Sequence, residues 1–305
     1  MTRYKFHTLD VFTDVKFGGN PLAVFTDGTG LSGHDMQAIA AEINYSETCF
    51  VLPPSNPAHA AHVRIFTPKN ELPFAGHPNV GTGFLLARYP ELIPGSHEHS
   101  GFVFEEAAGL ITITPTYDET GTLVATTITA PQTTSMFGER PVTPIAAAVG
   151  LAPEDITTHR TPPIIAGTGV PFAFAEVSSR LSLAKAAPDL EAFREAQEAH
   201  GYKGDFFSVM LFFEDPTGVL HARMFAPLAG IIEDPATGSA CTALGGLLAQ
   251  INAIQDGEFC FTINQGDDMG RPSRLRVSVT KSGGITGHPS VGGSCVEVIT
   301  GGFDF

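Results

Sequence analysis

Three short stretches carry residue types that could move a proton on a small anion. Glu47 lies in Asn44-Tyr45-Ser46-Glu47-Thr48, just before the apolar run 49–52. A carboxylate set beside Phe50 and Val51 and between Ser46 and Thr48 could be partly desolvated, which would raise its pKa toward a value useful for proton transfer. The alternative is a solvated loop glutamate, because charged side chains are mostly exposed. His77 lies in Phe74-Ala75-Gly76-His77-Pro78-Asn79, where a helix is predicted to start. Gly76 lets a ligand approach the backbone there, and the helix dipole disfavours an imidazolium, although an isolated histidine is more often structural. Asp234 lies in Glu233-Asp234-Pro235-Ala236-Thr237-Gly238-Ser239, between a strand-like piece at 223–226 and a helix-patterned run. Such a junction offers free N–H groups and a positive dipole end, enough to hold a carboxylate ligand without Lys or Arg.

The elements that would position these residues occur twice. Laying Phe50 on Val209 without a gap brings Pro57 onto Pro216, His62 onto His221, Arg64 onto Arg223, Phe66 onto Phe225 and Pro68 onto Pro227. Both copies continue, after a loop three residues longer in the second, as Glu71-Leu72-Pro73-Phe74-Ala75-Gly76 and Glu233-Asp234-Pro235-Ala236-Thr237-Gly238, each followed by a Gly/Ala/Leu-rich helical run. Five identities and a shared sequel indicate duplication, hence two halves of similar fold.

The remaining pattern fills in around them. An alternating strand at 5–13 and a second at 22–26 flank Gly18-Gly19-Asn20-Pro21, read as a hairpin in which Asn20 serves either the turn or a ligand. Met36, Ile39, Ala40 and Ile43 mark a helix. Strands are expected at 110–115 and 123–129, and the Pro- and Thr-rich segment 131–144 reads as the linker between halves. Beyond it come helices at 145–149 and 189–200 and strands at 172–177, 259–263, 275–279 and 296–299. The domains are therefore 1–130, with 294–305 as a possible last strand, and 131–293. His97 and His99, in a predicted loop tip, are a weak metal motif because no third ligand is near in sequence.

Composition narrows the function classes. With 32 acidic against 17 basic residues the formal charge of −15 opposes sequence-independent binding to nucleic acid or anionic membrane. Cys49, Cys241, Cys260 and Cys295 have no CxxC spacing, and the chain has no long apolar run or signal-like start, so a cytoplasmic protein with reduced thiols is expected. No P-loop or GxGxxG fingerprint points to a nucleotide.

Together, GGNPLAVF (18–25), NYSETCFV (44–51), RIFTP and ELPFAGHP (64–78), RMFAP and EDPATGSA (223–240) and the late Gly270-Arg271-Pro272-Ser273 resemble the PhzF-like family of phenazine-biosynthesis proteins, over essentially the whole chain. The resemblance implies an α+β fold of the diaminopimelate epimerase kind. That fold has two pseudo-symmetric lobes, each a curled, mostly antiparallel sheet around a central helix. The helices would be 79–88 and 239–250, with their N-termini facing one cleft. It also implies a homodimer, no metal and no organic cofactor.

Epimerases of this fold use two thiols, one at each helix start. This sequence has none at either junction, and Cys241, inside the second helix, reads as core. In the PhzF enzyme the glutamate of Ser-Glu-Thr moves a proton between carbons on one face of trans-2,3-dihydro-3-hydroxyanthranilate. By resemblance Glu47 is that acid and base, and His77 and Asp234 assist by holding substrate polar groups. Gly76, Gly238 and Ser239 would bind the carboxylate, with Asn20 and Ser46 as further substrate contacts. The expected activity is a cofactor-independent isomerase acting on a small carboxylate. The alternatives are an epimerase using Glu47 and Asp234 as two bases, and a non-catalytic partner-binding protein.

Overall fold

The computed structural model describes residues 2–93, 101–201 and 206–304. They form two compact units, one of residues 1–131 with 291–305 and the other of residues 132–290.

The first unit contains β1 (Arg3–Val11), β2 (Asn20–Phe25), α1 (Gly33–Ile43), β3 (Glu47–Leu52), β4 (Ala61–Phe66), β5 (Glu71–Leu72) and α2 (Gly76–Arg88). Then follow β6 (Phe102–Glu106), β7 (Gly109–Tyr117) and β8 (Leu123–Thr129). The second unit holds β9 (Ser135–Glu139), α3 (Val142–Ala148), β10 (Ile164–Gly167), β11 (Pro171–Glu176), α4 (Arg180–Lys185), α5 (Leu190–His200), β12 (Val209–Glu214) and β13 (Leu220–Ala226). It continues with β14 (Ile231–Asp234), α6 (Gly238–Ile251), β15 (Gly257–Gln265), β16 (Ser273–Ser282) and β17 (Ile285–Thr286). The chain returns to the first unit through β18 (Ser290–Gly293) and β19 (Cys295–Asp304).

Strand order and sense repeat between the units. In the first, β1 pairs antiparallel with β2, β2 parallel with β3, β3 antiparallel with β4, β4 parallel with β6, and β6 antiparallel with β7. In the second, β10, β11, β12, β13, β15 and β16 pair in the same order with the same alternation of sense. Outside this frame β19 lies against β1 and β9 against β10. The duplication read from five identities is thus present in the topology. The ungapped alignment is nevertheless two residues off in the first strand of each hairpin: Phe50 faces Arg64, whereas Leu211 faces Arg223. The connection from β3 to β4 is longer than that from β12 to β13, and exposed turns absorb such changes cheaply.

Each sheet packs on a helix with no exposed polar face, whose few polar side chains, such as Asn79, Thr82 and Thr242, are themselves buried. Residues 76–86 of α2 and all but Ser239 of residues 238–249 of α6 are buried. Glycine permits the close approach: a Cβ on Gly81 would stand 2.5 Å from Leu22 and one on Gly245 2.5 Å from Val277. On the other face of the first sheet, Met36, Ile39 and Ala40 of α1 cover Phe25, Phe50 and Phe66. In the second unit α3 and α5 bury Ile145, Ala148 and Phe193 against Val209, Leu211 and Phe225.

Two sequence expectations change. The segment 131–144 is not a plain linker, because 135–139 forms β9 along β10 and α3 begins at Val142. Its Pro and Thr content hides an edge strand, where proline is tolerated at the flanks. Glu233 and Asp234 lie on a short strand rather than in a loop. Gly230, at φ +88°, turns the chain so that β14 runs back along β13.

Candidate active site

In the first unit the parallel ladder of β2 and β3 sets Leu22 opposite Glu47 and so brings Asn20-Pro21 beside Ser46-Glu47. Gly19 makes the preceding turn possible: its φ is +59° and a Cβ there would collide with the Val11 carbonyl. Ser46 Oγ donates to Asn20 Oδ1 at 3.3 Å, and Asn20 is 1% exposed. Asn20 is therefore not a turn residue but the first residue of β2, opposite Val11, and its buried side chain meets the segment that carries the glutamate. From the other side, α2 begins at Gly76 and presents His77, whose Nε2 lies 3.4 Å from Glu47 Oε2. Burial pushes the His77 pKa down to about 3, against the opposing pull of the Pro21 carbonyl. The imidazole is thus neutral, as the sequence suggested, but desolvation rather than the helix dipole is the dominant cause. The pair is a contact between a neutral ring and a carboxyl group whose side chain is 15% exposed. Glu47 is not a solvated loop residue.

The second unit builds the corresponding junction from different groups. Asp234 ends β14, is 7% exposed, and its Oδ2 accepts from Thr237 Oγ1 at 2.6 Å. Gln265, at the end of β15, ties the junction together. Its Nε2 donates to the Asp234 carbonyl at 2.7 Å and to Thr237 Oγ1 at 3.0 Å, and its Oε1 accepts from Thr237 N at 3.1 Å and Cys241 Sγ at 3.5 Å. Gly238 is buried and Ser239 half-buried in the first turn of α6.

The shared frame behind both junctions is an arginine clamp. Arg64 donates to Glu71 at 2.7 and 2.8 Å and stacks over Phe66; Arg223 donates to Glu233 at 2.8 and 2.7 Å and stacks over Phe225. Matching the arginines together with their strand partners, and allowing for the loop three residues longer in the second copy, aligns Gly76 with Gly238, His77 with Ser239 and Glu47 with Ser208. The acid therefore has no acidic counterpart in the second copy.

Neither cysteine near the two helix starts is placed to react as a thiolate. Cys49 and Cys241 are fully buried, and burial pushes both thiols well above their ordinary range. No three His, Cys, Asp or Glu side chains among the described residues come together as a metal site; His97 and His99 lie outside those residues. Among the described residues no helix is long and apolar enough to cross a membrane.

The sequence profile of the family described as "phenazine biosynthesis-like protein" matches residues 9–301. The chain belongs to this PhzF family. An uncharacterized isomerase of Mesorhizobium japonicum is 37% identical over 96% of each chain. The trans-2,3-dihydro-3-hydroxyanthranilate isomerase of Pseudomonas aeruginosa is 32% identical over 92% of each. Among solved structures, a PhzF-family protein of Bacillus anthracis superposes over 100% of both chains at 25% identity, with a TM-score of 0.83. A hydroxyproline epimerase from Agrobacterium vitis, at 13% identity, shares the fold with a TM-score of 0.67, over 99% of this chain and 91% of its own. The fold is accordingly α+β of the diaminopimelate epimerase type, and this PhzF-family chain is an isomerase.

Within this PhzF-family chain the structure brings together Asn20, Ser46, Glu47, Gly76 and His77 in one unit, and Asp234, Gly238 and Ser239 in the other. Two residues at the helix starts escaped the sequence reading. Gln265 has only the polar end Asn264-Gln265 of an otherwise apolar strand as its signal, and Glu106 has none, since β6 itself was not predicted.

Proposed function

We propose that this isomerase moves a proton between two carbons of a small, carboxylate-bearing cyclic substrate, with Glu47 as the acid and base. Glu47 as carboxylate takes the proton from one carbon, the electron pair delocalises into the substrate's conjugated system, and Glu47 as carboxylic acid returns the proton at a second carbon. Atoms and charge balance without any other group. The observation that carries the reading is the shielded Glu47 carboxyl held 3.4 Å from a neutral imidazole at the start of a buried helix. In that setting His77 can hold a substrate polar atom without competing for the proton. The backbone N–H groups around Gly76 suit an anion, and Asp234, Gly238 and Ser239 are proposed as the further groups that hold the substrate.

The relatives named for trans-2,3-dihydro-3-hydroxyanthranilate isomerisation, at 32–34% identity, support this choice of substrate class. Solvent-deuterium incorporation into that compound and a panel of cyclic amino acids tests the proposal. Wild type should wash deuterium into one carbon, and Glu47→Gln should bind the same compound by calorimetry yet exchange none. Full exchange by Glu47→Gln removes Glu47 from the mechanism. Inversion at a single carbon, lost in Asp234→Asn as well, would replace it with the two-base epimerase.

A further inference from the structure

The internal repeat assigns a role to a residue that the reaction itself does not use. In the second unit, the parallel ladder of β13 and β15 sets Ala222 opposite Gln265, one position after His221 opposite Asn264. In the first, β4 and β6 set His62 opposite Glu105, so the next residue, Glu106, occupies the position of Gln265. The partner position matches too: counting from Gly76 and Gly238, Asn79 corresponds to Cys241. Gln265 contacts Cys241, and Glu106 lies beside the Asn79 amide.

The chemistry at the two positions differs: an amide that cannot titrate stands at one and a carboxyl group that can at the other. Gln265 braces the α6 start with an amide that donates and accepts at once. Both carboxyl oxygens of Glu106 are closed off from solvent and make no well-formed hydrogen bond among the described residues, and the polar group set against them is the Asn79 side-chain amide. Asn79 Nδ2 is committed to the Ala75 carbonyl at 3.0 Å, and Asn79 Oδ1 lacks a donor. An orphaned acceptor beside a buried carboxyl group is satisfied if the carboxyl carries a proton, and is repelled if it does not.

We propose that Glu106 is a positioning residue that holds the first turn of α2 in its neutral, proton-bearing form, doing with a carboxylic acid what Gln265 does with an amide at α6. Burial pushes its pKa up to about 8, and Asn79 opposes this only as a donor, through an Nδ2 already committed to the Ala75 carbonyl, so the acid form prevails at neutral pH. Alternation along β6 puts Glu106 on the side of Phe102 and Phe104, toward α2. The titratable groups facing it are Glu47 and Cys49 of β3 and His77 of α2. Val63 and Ile65 of β4 and Ile111 and Ile113 of β7 on that side are apolar. Cys49 and His77 are neutral by burial, and Cys49 lies near enough to feel both glutamates. The proposal rests on the reading above only in taking the α2 start as the ligand-facing turn.

Carbon-13 NMR of the glutamate carboxyls, with Glu106 assigned by through-bond correlation, gives a direct test on the intact protein without substrate. Glu106 should titrate with a midpoint near pH 8, and the amides of Gly76, His77 and Asn79 should shift with the same midpoint. In Glu106→Gln those amides should stop moving, and in Glu47→Gln the midpoint should persist. Gln265→Glu should transplant the behaviour, making the amides of Gly238 and Cys241 titrate above neutral pH. A Glu106 midpoint in the ordinary carboxylate range, or α2 amides that titrate unchanged in Glu106→Gln, overturns the proposal. Where turnover is measurable, wild type should lose about tenfold per pH unit above the midpoint and Glu106→Gln should not. A limb that persists in the variant counts against the proposal, whereas a dead Glu47→Gln with normal Glu106 titration bears on Glu47 alone.

Discussion

The start of α2 and the start of α6 are built on the same frame and furnished with different chemistry. Each has a short strand returning on a long one, an arginine stacked on a phenylalanine and paired with a glutamate, a proline, and a glycine opening a buried helix. At α2 the frame presents Glu47, His77 and Glu106; at α6 the matching positions hold Ser208, Ser239 and Gln265. The duplicated backbone carries the same helix start twice, and the side chains at the matching positions are ionisable at α2 and uncharged at α6. Gln265 satisfies four groups of its junction, while Glu106, on the proposal above, depends on a removable proton.

The comparison breaks most sharply at the acid. Glu47→Gln should lower turnover on the order of 10³-fold, whereas Ser208→Ala at the matching position should stay within roughly a factor of two. Parallel kinetics on the two variants decide it, and equal losses would mean that both copies handle protons.

The clamps should differ next. Arg223 is 8% exposed and also donates to the carbonyls of Leu183, Ala184 and Ala186 at 3.0, 3.2 and 2.8 Å, so Arg223→Met leaves Glu233 and three carbonyls unpaired. Chemical denaturation should show a loss of about 3 kcal/mol, as for a broken buried pair. Gln265→Ala, which orphans Thr237 N among others, should cost about 1–3 kcal/mol.

Acid sensitivity should belong to the α2 end. His77 has a folded pKa of about 3 against an ordinary 6.5, so the unfolded chain binds a proton that the folded one refuses. Its share of stability is whole above pH 6.5, falls as pH drops toward 3 by at most about 1.4 kcal/mol per unit, and is constant below. Urea midpoints measured from pH 7 to 4 should therefore fall less steeply in His77→Gln than in wild type. The smallest effect is expected at the exposed clamp, where Arg64→Ala should cost about 1 kcal/mol or less, because Glu71 is 41% exposed and water replaces the lost pairing.

The sequence by itself determined the duplicated frame, the two buried helices and the acid-bearing strand. These depend on short-range patterns: glycine and proline at fixed offsets, apolar runs, and Ser-Glu-Thr before a strand. The tertiary structure alone decided which polar residues brace the helix starts. Glu106 and Gln265 gain their meaning from parallel ladders joining strands some 40 residues apart, and no local pattern encodes such a partner. It also decided the pairing register, where an ungapped match slipped by two, and the strand character of 135–139, whose proline- and threonine-rich surroundings gave no periodicity. Most of all it decided the electrostatics. Whether His77 is charged or Cys241 reactive depends on how much water reaches them, and burial follows from how distant segments pack, not from which residues stand beside them in the chain.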